Sequence, residues 1–250
     1  MKGDIHMNKT LHYQLSRDYC CTPEEVLSRE NIFTIFTPLE GRRKFQEKSE
    51  CFLKICAVNG KLLFTGREDI ISHCREKYGK WDGAWFMEAQ TVIELESLVR
   101  QYGNKIKQLH PFYISEEITP PAPCDFEAVC YTQNEIEQFR DDDRFDEAYA
   151  FCEDTPDVLG IAAVKDGNII GMAGASADSP YMYQIGINVL PDHRGKGIGA
   201  ELVTLLKNKV LELGKLPFYG TSVSHIASQK TAVKAGFIPA WTELVTEKGE

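Results

Sequence analysis

Three glycines fall within five positions of one turn, Arg194-Gly195-Lys196-Gly197-Ile198-Gly199. Glycine lets the backbone approach a ligand closely, and the first amides of a helix have no partner inside the helix. A glycine-rich turn that opens a helix therefore binds anions through backbone N–H groups and the positive end of the helix dipole. We expect this turn to hold a phosphate-bearing ligand.

The glycine spacing excludes two common nucleotide-binding motifs. A P-loop needs G-x-x-x-x-G-K-[ST], and a dinucleotide site needs G-x-G-x-x-G followed by an acidic residue. The turn reads G-x-G-x-G instead. Neither motif is present.

The turn follows a strand that ends in Val189-Leu190-Pro191, and its residues fit the pattern [QR]-x-x-G-x-[GA] at Arg194, Gly197 and Gly199. This arrangement resembles the acyl-CoA site of the GNAT superfamily of N-acetyltransferases. A second element of that family, a short helix ending in Gly-Phe, is matched by residues 228–237. The resemblance covers about residues 124–246, and it includes the order of helices and strands.

The resemblance implies that the turn binds the pyrophosphate of coenzyme A and that the edge of the preceding strand hydrogen-bonds pantetheine and the acyl carbonyl. It therefore predicts acetyl-CoA as the acyl donor. The predicted binding residues are Ile187, Asn188, Val189, Arg194, Gly195, Lys196, Gly197, Ile198, Gly199, Ala200 and Ser228. The side chains of Arg194 and Lys196 either contact phosphate or, in the case of Arg194, brace the turn.

The implied reaction is direct attack of an amine on the thioester, which needs a base for the amine proton and an acid for the departing thiolate. The sequence departs from the family here. The tyrosine that often serves as the acid falls at Ala232, and the frequent asparagine before the last helix falls at His225. We nominate His225 first and Tyr219 second, with Ser224 beside them. The alternative for His225 is a loop histidine that bonds backbone or cofactor.

An acidic segment precedes Asp166-Gly167 in the same half of the chain. Residues 137–147 contain six carboxylates and two arginines. In the resembling family this region borders the acceptor groove, so an acidic rim there attracts a cationic acceptor such as a polyamine or an aminoglycoside-like amine. The alternative is a solvated acidic loop.

The elements that position the turn are clear from local patterns. Asn59-Gly60 and Asp166-Gly167 predict type I′ hairpins. Apolar residues at helical spacing predict helices at 91–102 and 197–213, and Thr22-Pro23 begins another. Further strands are expected at 126–131, 181–189, 218–223 and 241–246, with one or two helices in 134–149 and a short one at 228–235.

Three prolines in residues 118–123 predict a linker, because neither a helix nor a central strand accommodates them. The predicted fold class is mixed α/β, with a GNAT-like central mixed sheet flanked by helices and a smaller α/β N-terminal domain before it. The predicted parts are a cloning remnant at 1–6, an N-terminal domain at 7–117, the linker at 118–123 and the acetyltransferase domain at 124–250.

The amino-acid composition argues against several classes of binding partner. The net charge of −9 weakens any nucleic-acid interpretation, and no stretch has the ~20 apolar residues of a membrane span. The eight cysteines form no C-x-x-C pair or zinc spacing, so we expect no metal site and interpret them as small buried residues of a cytoplasmic protein. The lysines near the C-terminal end of the 197–213 helix are expected to need no function, because cations are favoured there; they are Lys207, Lys209 and Lys215.

The sequence thus predicts a two-domain N-acetyltransferase that acts on a small-molecule amine. The main alternative is a non-catalytic acyl-CoA sensor. The arrangement resembles bacterial self-resistance acetyltransferases of the zwittermicin type. The N-terminal domain is expected to select substrate, to be a degenerate copy of the same fold or to form a homodimer surface.

Overall fold

The computed structural model describes residues 8–44 and 50–249. The proposed cloning remnant at 1–6 lies outside these residues. The chain divides into two compact units. The first unit comprises Met1–Phe112 and Ala240–Glu250, and the second comprises Tyr113–Pro239.

Helices and strands alternate along the chain, as expected for a mixed α/β fold. The elements up to the proline-rich segment are α1 (Lys9–Asp18), α2 (Pro23–Leu27), β1 (Ile32–Ile35), β2 (Leu53–Val58), β3 (Lys61–Gly66), α3 (Glu68–Tyr78), α4 (Ala89–Arg100) and β4 (Asn104–Ile114). Those after it are β5 (Glu127–Thr132), α5 (Gln133–Ile136), β6 (Asp157–Lys165), β7 (Asn168–Ser176), β8 (Met182–Val189), α6 (Ile198–Glu212), β9 (Leu216–Gly220), α7 (Ile226–Lys234) and β10 (Ile238–Lys248). The predicted fold class is confirmed.

The first unit contains strands in the order β1-β3-β2-β10-β4. The predicted hairpin between β2 and β3 is confirmed, with positive φ at Asn59 (51°) and Gly60 (77°). The predicted start of α2 is confirmed by a capping box in which Thr22 and Glu25 bond each other's backbone N–H. The sequence patterns described above predict neither helices α1 and α3 nor strands β1 and β4.

A buried charge network lies at the centre of the first unit. The Arg43 guanidinium is 2.5 Å from the Asp18 carboxylate and 2.7 Å from that of Glu243. The Tyr19 hydroxyl donates to Glu243 Oε2 at 2.9 Å. Burial alone would raise the pKa of Glu243, but Arg43 and Lys54 bring that pKa below its ordinary value. The network therefore fixes β10 to the segment around Asp18 and Arg43.

The second unit contains strands in the order β9-β8-β7-β6-β5. All neighbouring pairs are antiparallel except β8 and β9, which are parallel. The predicted hairpin at Asp166-Gly167 is confirmed, with φ values of 50° and 75°. Helix α6 buries Leu202, Leu206 and Val210 against one face of this sheet.

Three glycines form a row across the other face. Gly160, Gly174 and Gly186 are register partners on β6, β7 and β8. A Cβ added to them would lie within 2.0 Å of atoms in the segment 147–149. Because these glycines have no side chains, that segment can lie directly on the sheet.

The segment 134–149 contains less helix than the sequence predicts. Only the four-residue α5 is α-helical, and two 3-10 turns follow it at Glu137–Phe139 and Asp143–Phe145. The side chain of Asp142 caps the second turn by accepting from the Arg144 N–H, a local bond that competes with a continuous helix. Strand β9 likewise ends at Gly220, before the predicted end at residue 223.

Lys207 is completely buried, unlike the helix-end cation that the sequence indicated. Its Nζ donates to the Glu117 carbonyl at 2.7 Å and to Thr119 Oγ1 at 2.6 Å. A Cβ on Gly236, whose φ is +86°, would lie 3.3 Å from that Nζ and 3.0 Å from Thr119 Oγ1. The glycine of the Gly-Phe ending therefore leaves room for this contact.

The division into units differs from the predicted domains at both ends. The first boundary lies between Phe112 and Tyr113, before the proline-rich segment 118–123. The last strand, β10, pairs with β2 and belongs mostly to the first unit. Local turn and proline signals cannot reveal a pairing between residues almost 200 positions apart. The functional domain boundaries stay a prediction.

The structure bears on what composition suggested about the cysteines and about membrane spans. Cys56 and Cys74 are buried, but Cys124, Cys130 and Cys152 are exposed, so the interpretation of all eight as buried residues is wrong. In the parts of the chain that the structure describes, no helix is long and apolar enough to cross a membrane.

Glu243→Gln tests the buried network. We expect the free energy of unfolding to fall by about 3–5 kcal/mol at pH 7, because Arg43 then keeps a buried charge with one fewer partner. The folded-state pKa of Glu243 is lowered, so its stabilising contribution is complete above the unfolded-state value of 4.5 and is lost as pH falls through the lowered value. The difference between wild type and variant should shrink below pH 4.5 in urea titrations.

The matched control is Glu247→Gln, on the same strand but 39% exposed and 3.5 Å from Lys105 and Lys107. It should change stability by less than about 1 kcal/mol. Equal effects of the two substitutions would contradict the role assigned to Glu243.

Candidate active site

Strands β8 and β9 part after only three residue pairs. Their parallel register runs from Met182 opposite Leu216 to Gln184 opposite Phe218. On its other side β8 stays paired with β7 as far as Val189. In the described chain the β9-facing edge of residues 185–189 therefore has no strand partner. Backbone groups on this edge need other hydrogen-bond partners.

The unpaired edge leads directly into the glycine-rich turn. Gly195 and Gly197 have φ values of 77° and 86°, which disfavour any residue with a side chain. No atom lies within 4 Å of a Cβ added to either glycine, so the turn faces open space. No side chain caps α6, and its first internal bond is from Glu201 N–H to the Gly197 carbonyl. The Arg194 N–H bonds the Pro191 carbonyl, whereas the amides of residues 195–200 precede the first internal bond and are available to an anion.

The two cationic side chains of the turn donate to backbone carbonyls of residues just before it. Arg194 Nε donates to the Val189 carbonyl at 2.8 Å, and Lys196 Nζ donates to the Asp192 carbonyl at 2.9 Å. This geometry supports the bracing interpretation of Arg194. Contact of either side chain with phosphate stays a prediction.

The other predicted binding residues surround the turn. Ile187 and Val189 pack toward α6, and a Cβ on Gly199 would lie 3.4 Å from Val189 Cγ2. Ile198 is buried and the Ala200 carbonyl accepts from the Thr204 hydroxyl. These residues thus pack around the turn.

Tyr219 lies on β9 just beyond the last pair with β8. Its side chain is buried, and its hydroxyl is 2.8 Å from Ser228 Oγ on α7. Burial raises the pKa of Tyr219, although the hydrogen bond to Ser228 acts in the opposite direction. The phenol is therefore protonated at neutral pH. Ala232, at the position of the family tyrosine, is buried in the core.

His225 and Ser224 lie in an exposed loop before α7. The His225 N–H donates to the Ser222 carbonyl at 3.1 Å, and the hydroxyls of Ser224 and Ser222 are 3.2 Å apart. The structure thus brings Tyr219 and Ser228 together but leaves His225 on the surface.

Asn188 has a role that the sequence did not indicate. Its Oδ1 accepts from the N–H groups of Glu147 and Ala148 at 3.0 and 2.7 Å, and its Nδ2 donates to Asp146 at 2.9 Å. The side chain therefore holds the end of the acidic segment on β8. The recurring glycines at 160, 174 and 186 are the one sequence signal that could have indicated this close approach.

A cavity of about 790 Å³ opens beside the turn. It is lined by the segment 122–126, the end of the β6–β7 hairpin and the turn residues His193 and Lys196. It lies toward β7, whereas the unpaired edge of β8 faces β9. In the described residues, no cluster of His, Cys, Asp and Glu is arranged to hold a metal ion.

Residues 123–237 match the model of the acetyltransferase (GNAT) family. These residues are a GNAT acetyltransferase domain. The resemblance seen in the sequence is thereby confirmed for this part of the chain, while the zwittermicin-resistance type and the nature of the N-terminal region stay predictions.

Solved structures give more distant similarities. A GCN5-related N-acetyltransferase-like protein from Streptococcus suis is 15% identical over 83% of this chain and 89% of its own, with a TM-score of 0.47. A GCN5-related N-acetyltransferase from Kribbella flavida is 17% identical over 62% of this chain and 64% of its own, also with a TM-score of 0.47. None of the curated proteins compared with the sequence matches it.

Asn188→Ala tests the anchoring of the acidic segment. Loss of Oδ1 leaves the Glu147 amide without this acceptor, which costs about 1–3 kcal/mol locally, whereas the Ala148 amide keeps its bond to the Phe145 carbonyl at 3.1 Å. We expect hydrogen exchange of the Glu147 amide to accelerate by about 5- to 140-fold, since 1.4 kcal/mol is a factor of ten, and that of the Ala148 amide to accelerate less. Asn168→Ala is the control, because its amide bonds only the exposed Asp166 carbonyl. Unchanged exchange at Glu147 and Ala148 would contradict the anchoring role.

Proposed function

We propose that this protein is an acetyl-CoA-dependent N-acetyltransferase that acetylates an amine of a small molecule by direct attack in a ternary complex. The observation that carries the proposal is the unpaired edge of β8 leading into the open glycine turn at the start of α6. The edge offers backbone groups to an extended chain with amides, and the turn offers N–H groups to a pyrophosphate. Coenzyme A carries both.

In this proposal the backbone from Arg194 to Gly199 binds the pyrophosphate, and Ile187 to Val189 hydrogen-bond pantetheine and orient the acyl carbonyl. When bound, acetyl-CoA supplies an acyl group on a thioester. The chain contributes alignment of the two reactants and backbone donors for the oxyanion that develops.

Tyr219 is the better placed of the two nominated acids. It lies at the gap between β8 and β9, it is protonated at neutral pH, and its hydroxyl is held by Ser228. It donates its proton to the departing sulfur and recovers one from solvent. His225, which ranked first in the sequence analysis, ranks second because it is exposed.

The acceptor is proposed to be a cationic amine of the polyamine or antibiotic class, rather than a nucleic acid or membrane component, and the place of action to be the cytoplasm. Selection of this acceptor is the proposed task of the first unit. A homodimer surface or a degenerate copy of the fold remain the other proposals for it.

A non-catalytic acyl-CoA sensor is the second candidate. It is favoured by one observation, the buried alanine at position 232 where the family often has its acid. A sensor retains coenzyme A binding but releases no thiol with any amine.

Gly197→Glu tests the donor site by thermal shift. Acetyl-CoA or CoA at 100 times Kd should stabilise the wild type by about 2.7 kcal/mol, which raises Tm by roughly 5–11 °C for a chain of this size. The glutamate should abolish the rise, because its charge and bulk occupy the anion site. NADPH should have no effect.

Gly214→Glu is the matched control, since Gly214 also has positive φ (68°) and open surroundings but lies beyond the opposite end of α6. It should keep the acetyl-CoA shift. Absence of any shift in the wild type would overturn both the transferase and the sensor.

Tyr219→Phe and His225→Ala test the acid. We measure thiol release from acetyl-CoA with spermidine, kanamycin and lysine as acceptors. Loss of the phenol should reduce kcat by about 10²-fold, whereas His225→Ala should leave kcat unchanged. The opposite result would transfer the role to His225. No release with any of these amines, alongside a normal acetyl-CoA shift, would favour the sensor.

A further inference from the structure

The gap between β8 and β9 has two faces, and a different element lies on each. Tyr219 and α7 are on the face that packs against α6. Gly186 and Asn188 alternate with Ile185 and Ile187 along β8, so they face the opposite side. The acidic segment 146–148 lies there. A reactant in the gap would therefore meet both elements.

Glu147 is fixed at the gap through its backbone. Its N–H donates to Asn188 Oδ1 at 3.0 Å, and its carbonyl lies so close to Gly186 that an added Cβ would be 1.9 Å away. Gly186 is two residues beyond Gln184, the last residue of β8 that pairs with β9. The backbone of Glu147 thus lies where the strands have parted.

The neighbouring carboxylates are largely engaged with local partners. Glu137 is 2.6 Å from Arg140 and Asp142 is 2.7 Å from Arg144. Asp146 accepts from Asn188. The Glu147 side chain is exposed. Asp146 and Glu147 are thus the two carboxylates of this group next to Asn188, and Glu147 is the one whose charge acts on Tyr219.

Electrostatics place the Glu147 charge within reach of Tyr219. The pKa of Tyr219 is raised first by burial, is lowered by its bond to Ser228, and is raised further by the negative charge of Glu147. This last contribution agrees with the backbone geometry, since the Glu147 backbone lies against Gly186, on the face of the gap opposite to Tyr219.

We propose that Glu147 binds the acceptor's ammonium group and accepts its proton, and that Asn188 is the positioning residue that holds Glu147 at the gap. This inference rests on the proposed acetyltransferase function and adds the acceptor side to it. The acceptor class is a primary amine that is cationic before reaction.

The proton transfers balance. Glu147 takes one proton from the ammonium group and passes it to solvent, which frees the nitrogen lone pair. The nitrogen–carbon bond forms, and the carbon–sulfur bond breaks with its electron pair on sulfur. Tyr219 supplies the sulfur with a proton and is reprotonated from solvent, and the second nitrogen proton leaves to solvent.

Glu147→Gln is the test, with Glu212→Gln as the matched control, since Glu212 is exposed at the far end of α6. With the best acceptor among spermidine, kanamycin and lysine, Glu147→Gln should lower kcat/KM about 10²- to 10⁴-fold at pH 7. The deficit should shrink as pH approaches the amine pKa of about 10, because neutral amine then arrives from solvent. Glu147→Asp should restore part of the activity.

A second readout needs no turnover. The ring ¹³C signal of Tyr219, assigned through Tyr219→Phe, reports the ionisation of this phenol in the folded protein. Removal of the Glu147 charge should lower the pKa of Tyr219, and Glu212→Gln should not.

The outcomes separate the two proposals. If Glu147→Gln keeps the wild-type kcat/KM, or if it leaves the Tyr219 titration unchanged, the proposed role of Glu147 is overturned. The proposed acetyltransferase function stands in that case as long as acetyl-CoA still raises Tm. If acetyl-CoA does not raise Tm, the proposed acetyltransferase function is overturned. A change in the Tyr219 pKa on Glu147→Gln would then show only an electrostatic contact without catalysis, so the catalytic role of Glu147 is overturned as well.

Discussion

The parting of β8 from β9 is the constraint on which the candidate site depends. Two parallel strands that continued side by side would satisfy each other's backbone groups and leave nothing for a ligand. Here the register stops at Gln184 and Phe218, and a buried polar group left without a partner costs about 1–3 kcal/mol. The edge beyond Gln184 must therefore be supplied with hydrogen bonds by solvent or by a bound molecule. An extended ligand that replaces the missing strand satisfies this need along its length.

Glycine shapes both sides of this gap, for different physical reasons. At Gly195 and Gly197 the backbone takes positive φ, which turns the chain so that the amides at the start of α6 face open space. At Gly160, Gly174 and Gly186 the absence of a side chain permits contact, and the segment 147–149 lies on the strands. The turn thus exposes backbone to a ligand, whereas the row brings a carboxylate-bearing segment to the gap. In the proposed function, glycine therefore serves both the acyl-donor side and the acceptor side of the gap.

The sequence predicts what depends on near neighbours. Both I′ hairpins, the start of α2, helix α6 and the glycine turn are encoded in a few consecutive residues, and the structure has all of them. The Arg43–Glu243 pair, the burial of Lys207 and the pairing of β10 with β2 join residues far apart in the chain. No local pattern reveals them. The same holds for the candidate site. The glycine turn is encoded in consecutive residues and could be predicted, whereas the surroundings of Tyr219 and the hydrogen bonds of Asn188 depend on packing between elements and could not.

Charge placement matters more than charge number at this site. The net charge of −9 and the six carboxylates of residues 137–147 suggest a broad negative field, yet charges in water are screened within about 8–10 Å at physiological salt. Local arginines neutralise Glu137 and Asp142, and Asn188 engages Asp146. The charge that acts on Tyr219 is that of Glu147, whose backbone is held in place by Asn188 and lies against Gly186. Under the proposed function, an amine is discriminated by where its ammonium group lies relative to one carboxylate and one phenol, which demands a fixed geometry that a diffuse acidic surface cannot supply.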